Sequence, residues 1–224
     1  MRLLIINPNS TAAMTDSIAR AARAVAGPGV TVVAMNPVDT PPAIQGPEDG
    51  AAALPGLFAL FERATADQAY DAAVIACFDD TGVWDLKARA PLPVIGIGEA
   101  ACHAAMLVAQ RFSVVTTLPV SIPVIEENLA RFGFLPRCAR VRAADVPVLE
   151  FETDKPAAEA ALIAETARAV AEDRCQAIVL GCAGMADLAA SMTARFGLPV
   201  IDGVASAVRL AQAVQRAPVP AEGP

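Results

Sequence analysis

Two cysteines in this chain stand where reactive side chains are expected in an α/β protein. Cys77 follows the apolar run 72–76, and Cys182 follows a similar run at 177–180. Each run predicts a buried strand, so both thiols would lie at the carboxyl ends of strands, where open α/β sheets bind ligands. A helix is expected after each turn, and its N-terminal N–H groups would lower the pKa of the thiol. These features predict two reactive thiols that act in one cleft.

Other chemistry based on cysteine or histidine is not supported by the spacing. The chain has five cysteines, no Cys-x-x-Cys pair and a single histidine, so neither a disulfide framework nor a metal site is expected. Cys102, Cys138 and Cys175 fall in a predicted helix, a strand start and a helix end, where small buried hydrophobic residues are typical. His103 is the only candidate base for a catalytic triad, and it lies in an Ala-rich helical run.

A glycine pattern at 96–101 superficially suggests a dinucleotide site. Gly96-Ile97-Gly98-Glu99-Ala100-Ala101 satisfies Gly-x-Gly-x-x-Ala after a predicted strand. However, the acidic residue expected about 20 residues later is missing, and the first strand-to-helix turn, 7–10, contains no glycine. A tight strand-to-helix turn accounts for these glycines, and no nucleotide cofactor is expected.

Composition indicates a globular protein with a core of small side chains. The chain is 55% hydrophobic and only 4% aromatic, and its net charge of −7 comes without a basic stripe of the kind that binds nucleic acid. No apolar run is long enough for a signal peptide or a membrane span. We therefore expect a cytoplasmic protein that has no nucleic-acid or membrane partner.

The elements that must position the thiols alternate between strand and helix, which is typical of parallel sheets with crossover connections. Strands are predicted over 3–6, 30–34, 72–76, 94–97, 113–117, 138–143, 177–180 and 199–201. Helices are predicted over 12–26, 56–68, 99–110, 122–131, 157–173 and 203–215. Residues 37–55 are rich in Pro, Gly and acidic residues, and they predict a long surface loop of the kind that often serves as a lid.

The two halves of the chain repeat each other. Leu-Pro-Val-Ile at 92–95 recurs at 198–201, the two Cys strands recur at nearly the same offset, and Ile5-Ile6-Asn7 falls against Val114-Val115-Thr116. Such a repeat predicts two similar α/β lobes related by a pseudo-twofold axis, each a parallel sheet flanked by helices, with the active site in the cleft between them.

The repeat also predicts where the lobes divide. Residues 1–96 with 204–224 would form the first lobe, and residues 97–203 would form the second. The chain would cross between the lobes near residue 96 and return near 203, so that the last helix packs on the first lobe.

Three motifs carry a resemblance to a known family. Asn-Pro-Asn-Ser at 7–10, Ala-Cys-Phe-Asp-Asp-Thr-Gly at 76–82 and Gly-Cys-Ala-Gly-Met at 181–185 resemble the Asp/Glu/hydantoin racemase superfamily, and most closely its hydantoin and allantoin racemases. The resemblance extends from residue 1 to about 215. It implies that Cys77 and Cys182 are the catalytic acid/base pair of a cofactor-independent racemase and that the protein is a homo-oligomer. It also implies that the following residues line the cleft and bind the substrate: Asn9, Ser10, Asp79, Asp80, Thr81, Thr116, Thr117 and Gly184.

The implied reaction is racemisation of a 5-substituted hydantoin or of allantoin. One thiolate would remove the C5 proton and a thiol on the opposite wall would return one, because the ordinary pKa of a thiol suits both roles. Aspartate and glutamate racemases carry Asn-Thr after the first cysteine and Thr-Glu after the second, whereas this chain has Phe78-Asp79 and Ala183-Gly184. Free acidic amino acids are therefore not the expected substrates. Arylmalonate decarboxylases keep only the second cysteine, so Cys77 argues against that activity.

Three alternatives stay open at this point. The first is a maleate-isomerase-like reaction, in which one thiol adds to a double bond and the other handles the proton. The second is racemisation of an amino acid by another branch of the same superfamily. The third is a two-lobed protein that binds a small molecule without catalysis, and such a protein would tolerate the loss of either thiol.

Overall fold

The computed structural model describes residues 1–217, which form two four-stranded parallel sheets. The strands are β1 (Arg2–Ile6), β2 (Thr31–Met35), β3 (Ala72–Ile75), β4 (Val94–Gly96), β5 (Phe112–Thr116), β6 (Cys138–Ala143), β7 (Ala177–Gly181) and β8 (Val200–Ile201). The helices are α1 (Ala12–Val25), α2 (Pro47–Asp67), α3 (Val83–Arg89), α4 (Ile97–Val108), α5 (Ile122–Arg131), α6 (Glu150–Thr153), α7 (Lys155–Glu172), α8 (Ala189–Phe196) and α9 (Gly203–Val214). Short 3-10 helices occupy Pro119–Ser121, Leu135–Arg137 and Ala183–Leu188.

The two sheets have the same topology. Their strand orders are β2-β1-β3-β4 and β6-β5-β7-β8, so each strand of the first sheet has a counterpart in the second. The predicted two-lobed α/β fold is confirmed. The inner strands β3, β5 and β7 are buried at every position, as expected for parallel strands covered on both faces. Because Ile6 pairs with Ile75 and Thr116 pairs with Gly181, the segments that follow these strands meet at one edge of each sheet.

Helices α2 and α6 depart most from the sequence-based expectations, whereas the other helices with predicted bounds agree with them to within two residues at each end. The predicted loop 37–55 is shorter than expected, because α2 begins at Pro47 and includes Pro55. Proline at the first helical position and the acidic Glu48 and Asp49 in the first turn are favourable at a helix N-terminus. The short helix α6 was not predicted. In contrast, α5 begins and ends where the sequence predicts. Within residues 1–217, no helix is both long enough and apolar enough to cross a membrane.

The two halves exchange a covering helix. Helix α4 follows β4 but packs against β7, whereas α9 follows β8 and packs against β3, and α4 and α9 pack on each other. Their first residues, Ile97 and Gly203, are counterparts in the repeat. A Cβ added to Gly203 would lie 2.7 Å from the carbonyl oxygen of Ile97, so the two helix starts touch at the pseudo-twofold axis. The lobe boundaries stay a prediction, and the part of the first lobe assigned to 218–224 lies outside the described residues.

Carboxylates cap the exchanged helices at equivalent positions but come from different parts of the chain. Asp202 caps α9 by accepting from the N–H groups of Val204 and Ala205, at 2.9 and 2.7 Å. At the start of α4 the residue equivalent to Asp202 is Gly96. There Asp80 accepts from the N–H groups of Gly98 and Glu99, at 3.0 and 2.8 Å. A Cβ at residue 96 would overlap Oδ1 of Asp80. The first glycine of the Gly-x-Gly pattern therefore makes room for a carboxylate rather than for a nucleotide.

We expect that a carboxylate at residue 96 can cap α4 in place of the carboxylate of Asp80. Asp80→Gly should lower the free energy of unfolding by about 1–2 kcal/mol, since it removes the cap of α4. Glycine suits this position because Asp80 has a φ of 49°. Adding Gly96→Asp should restore most of the loss, whereas Gly96→Asp alone should destabilise the protein because the two carboxylates overlap. Urea denaturation would measure all three variants, and a double variant no more stable than Asp80→Gly would contradict this account.

Candidate active site

The carboxyl ends of β1, β3, β5 and β7 border a cavity of about 30 Å³ at the junction of the two halves. Both Cys77 and Cys182 line it, one from each half of the repeat. Four of the other predicted site residues line it as well: Asn9, Asp79, Thr116 and Thr117. A cavity of this size holds about one water molecule, so a five-membered ring enters only if the walls move apart.

The two thiols have matching backbone surroundings. The sulfur of Cys77 accepts from the N–H of Asp79, and the sulfur of Cys182 accepts from the N–H of Gly184. In each case the donor lies two residues after the cysteine. The match is incomplete, because Cys77 also accepts from the hydroxyl of Thr81 at 3.4 Å. This extra donor would stabilise a thiolate at Cys77 more than at Cys182.

The prediction that the thiol pKa values are lowered is wrong. Burial raises the pKa of Cys182 to about 12, the N–H group of Gly184 partly opposes this shift, and the negative charge of Asp79 adds to it. Burial also raises the pKa of Cys77, and again the charge of Asp79 adds to the effect. Part of Cys77 is exposed, yet protein atoms surround its sulfur.

The helices that were expected to lower the thiol pKa values do not reverse the effect of burial, because one begins too far from its cysteine and the other is a short 3-10 helix. Helix α3 begins at Val83, six residues after Cys77, and Cys182 precedes the 3-10 helix Ala183–Leu188 rather than an α-helix. Both side chains are therefore thiols at neutral pH, and the thiolate form of each is a minor species.

Asp79 is a buried carboxylic acid that borders the same cavity. Its Oδ2 accepts from the hydroxyl of Ser121 at 3.5 Å and its carboxylate from the N–H of Gly46, while its backbone oxygen accepts from Asn128 at 2.7 Å. Burial outweighs these donors and raises the pKa of Asp79 to about 7.

The hydrogen bonds of two lining residues are already used within the protein. The amide oxygen of Asn9 accepts from Asn7 and from the N–H of Thr11, and its amide nitrogen lies 3.5 Å from the sulfur of Met14. The hydroxyl of Thr116 donates to the carbonyl oxygen of Gly181 at 3.0 Å. Their predicted contacts with a substrate stay predictions.

Four predicted site residues lie outside the cavity wall. Ser10 is half-buried in the turn before α1, where its N–H donates to the carbonyl oxygen of Pro41. Asp80 faces α4, as described above. Thr81 reaches the cavity only through Cys77, and Gly184 lies between Cys182 and Phe151, where a Cβ would come within 3.3 Å of the Phe151 side chain.

The sequence reasoning missed several residues of the wall. Met14, Ile44 and Val148 supply apolar surface, and Ser121 supplies a hydroxyl. The Oε1 atom of Gln45 accepts from the N–H of Val148 at 2.9 Å, so it joins the loop before α2 to the segment before α6 across the cavity. Isolated apolar residues carry no sequence signal for such a role. Among residues 1–217, no group of three or more His, Cys, Asp or Glu side chains is arranged to hold a metal ion.

Comparisons with known proteins match almost the whole chain to one family. A family model described as Asp/Glu/Hydantoin racemase matches residues 3–211. A hydantoin racemase of Rhizobium meliloti is 47% identical over 96% of this chain and 88% of that protein, and one of Paenarthrobacter aurescens is 40% identical over 96% and 91%. The structure of an allantoin racemase from Klebsiella pneumoniae superposes with a TM-score of 0.92 at 43% identity, covering 96% of this chain and 87% of that one.

A more distant structural neighbour shares the fold alone. Glutamate racemase RacE1 of Bacillus anthracis superposes with a TM-score of 0.69 at 16% identity, covering 95% of this chain and 81% of that one.

The raised pKa of Asp79 predicts a pH-dependent change in stability. Between the ordinary pKa of 3.8 and the folded value of about 7, the folded chain binds a proton that the unfolded chain releases, so stability falls as pH rises. We expect the wild type to lose about 3 kcal/mol relative to Asp79→Asn between pH 5 and pH 8, the uncharged variant being the more stable at pH 8. Urea denaturation at both pH values measures the difference. Glu62→Gln, which removes an exposed acid, serves as the control, and equal pH responses of wild type and Asp79→Asn would refute the assignment.

Proposed function

The chain belongs to the Asp/Glu/hydantoin racemase family, and from this premise we propose that it interconverts the enantiomers of 5-substituted hydantoins. It is an isomerase of the racemase type. The observation that carries the proposal is that Cys77 and Cys182, at equivalent positions of the repeat, border one cavity. Relatives named hydantoin racemase and allantoin racemase support the substrate class.

In the proposed mechanism the two thiols exchange roles with the enantiomer. One cysteine, as thiolate, removes the proton at C5, and the other, as thiol, delivers a proton to the opposite face. The carbanion is stabilised as an enolate because C5 adjoins the C4 carbonyl group. The hydroxyl of Thr117, which also borders the cavity, would donate to a ring oxygen. The reaction is balanced in protons and uses no cofactor.

The composition of the cavity wall favours a neutral ring with an apolar substituent. Among the residues that the structure describes, no Arg, Lys or His lines this cavity, so no side-chain cation would balance a substrate carboxylate. Met14, Ile44 and Val148 would contact the 5-substituent. Initial rates with allantoin, 5-benzylhydantoin and 5-isobutylhydantoin would rank polar against apolar substituents, and maleate would test the isomerase alternative.

We also propose that the enzyme works as a homo-oligomer in the cytoplasm. Leu107 and Val108, at the end of α4, are 81% and 58% exposed, and adjoining apolar side chains of this size suit contact with a second copy. Sedimentation velocity of the wild type and of Leu107→Glu would test this surface, and a monomeric wild type would refute it.

Replacing either thiol should remove most of the activity. Cys77→Ser and Cys182→Ser should each lower kcat/KM for 5-benzylhydantoin racemisation by about 10²- to 10⁴-fold, because a serine hydroxyl is a much weaker acid and base at this position. Polarimetry measures the loss. Cys175→Ser, which changes a cysteine outside the cavity, should keep the wild-type rate.

Solvent deuterium would assign each thiol to one face of the substrate. In each single variant, exchange at C5 should favour the enantiomer whose proton faces the remaining cysteine. Either variant keeping most of the wild-type rate, or both exchanging the two enantiomers equally, would contradict the two-thiol mechanism.

A further inference from the structure

We propose that Asp79 determines the charge of the ligand that the cavity accepts: its carboxylate admits a neutral ring that donates N–H groups and rejects a ligand with its own carboxylate. The inference rests on the proposed function, because it concerns the same cavity and narrows its class of substrate. It gives Asp79 a role in specificity that is separate from the proton transfer at the two thiols.

The charge of Asp79 is uncompensated. Among the described residues it is the only acidic side chain that lines the cavity, and no cationic side chain lines it. Asp79 is only 8% exposed, so water screens its carboxylate poorly. Two like charges a few ångströms apart in such surroundings repel strongly enough to change an affinity by about 10- to 100-fold.

The carboxylate is held in place with acceptor capacity to spare. Asn128 anchors its backbone, and within the described part of the chain its carboxylate oxygens accept only from the Ser121 hydroxyl and the Gly46 N–H. An ionised carboxylate offers about four lone-pair sites, so at least one further donor can be accommodated. A hydantoin ring carries two N–H groups, at N1 and N3, and suits this free capacity. A ligand carboxylate supplies only acceptors and a second negative charge.

The field of Asp79 extends across the whole cavity. Its charge raises the pKa of Cys77 on its own turn and also the pKa of Cys182 on the opposite wall. A ligand held between the two sulfurs lies within the same field. The side chain therefore acts on every ligand in the position that racemisation requires.

Among residues 1–217, the side chains that contact Asp79 bring no opposing charge, and the cations of the neighbouring helices have other partners: Arg131 of α5 lies over the ring of Trp84, and Lys87 of α3 pairs with Glu99. Helix α5 and the 3-10 turn before it contribute the neutral Asn128 and Ser121, and the loop before α2 contributes the Gly46 N–H. The remaining titratable groups nearby are the two thiols, Asp80, which faces α4, and Glu152 of α6, whose charge acts on Cys182. The thiols are neutral and the carboxyl groups are neutral or negative, so none of these groups would attract an anionic ligand.

A matched pair of ligands tests the proposal. Hydantoin-5-acetamide and hydantoin-5-acetate have nearly the same shape and differ in charge. Their affinities would be measured by calorimetry on the full-length Cys77→Ser/Cys182→Ser protein, in which no thiolate contributes, with and without Asp79→Asn. At pH 8 we expect the parent to prefer the amide by at least about tenfold and the Asp79→Asn protein to prefer it by less than about threefold. Glu62→Gln, which removes an exposed charge of the same sign, should leave the preference unchanged.

The pH provides a second measurement without a further substitution. At pH 5.5 Asp79 is mostly protonated, because its pKa is raised to about 7, so the parent should lose most of its preference. A preference that survives Asp79→Asn, that is equal at both pH values, or that is absent from the parent would overturn the proposal, as would a failure of both ligands to bind.

Racemisation of the amide by the wild type separates this inference from the proposed function. If the binding preference behaves as expected but the amide is not racemised, charge selection by Asp79 stands and the racemase assignment to hydantoins fails. If the amide is racemised and Asp79→Asn keeps the preference, the proposed function stands and the role of Asp79 fails.

Discussion

Three ionisable groups, Cys77, Cys182 and Asp79, are buried in one cavity that no cationic side chain of residues 1–217 lines, and the rest of the site depends on this constraint. Desolvation disfavours a negative charge at each of them, and a charge on one makes ionisation of the others more costly. The lowest of the three raised pKa values belongs to Asp79, so at neutral pH this carboxyl group carries any charge that the site holds. In the proposed mechanism, thiolate formation is then the step that the local N–H donors and the Thr81 hydroxyl would assist.

The repeat makes the two sides of the site similar, and a few residues that differ between the halves make this symmetry incomplete. A racemase acts on two mirror-image substrates, so two similar half-sites on opposite walls suit the reaction. The donor two residues after each cysteine preserves this likeness. Asp79 and Thr81 belong to the first half alone, because the corresponding part of the second half is the 3-10 helix Ala183–Leu188. In the proposed mechanism the symmetric features would serve proton transfer, and the asymmetric ones would be free to recognise the rest of the ligand.

Local patterns were enough to predict the sheets and the position of the two thiols. Uniformly apolar runs such as 72–75 identify buried parallel strands, and the recurrence of Leu-Pro-Val-Ile fixes the relation between the halves. The start of α2 was missed because Gly50 and Pro55 resemble loop residues, although Pro47 and the acids after it favour a helix start.

Long-range contacts account for what the sequence could not predict. The sign of the thiol pKa shifts follows from burial by atoms of both halves, and the role of Asp80 follows from its contact with Gly98 and Glu99. Ile44 and Val148 meet only in the folded chain.

The exchange of α4 and α9 also governs the order in which the protein is completed during synthesis. Strand β3 is finished at Ile75, but the helix that packs on it begins at Gly203, about 130 residues later. A nascent chain that has emerged only to the end of β4 therefore exposes an apolar sheet face to the surroundings of the ribosome. The first sheet gains its full covering only after α9 has been translated, so the first half of the chain cannot complete its core before the second half has been made.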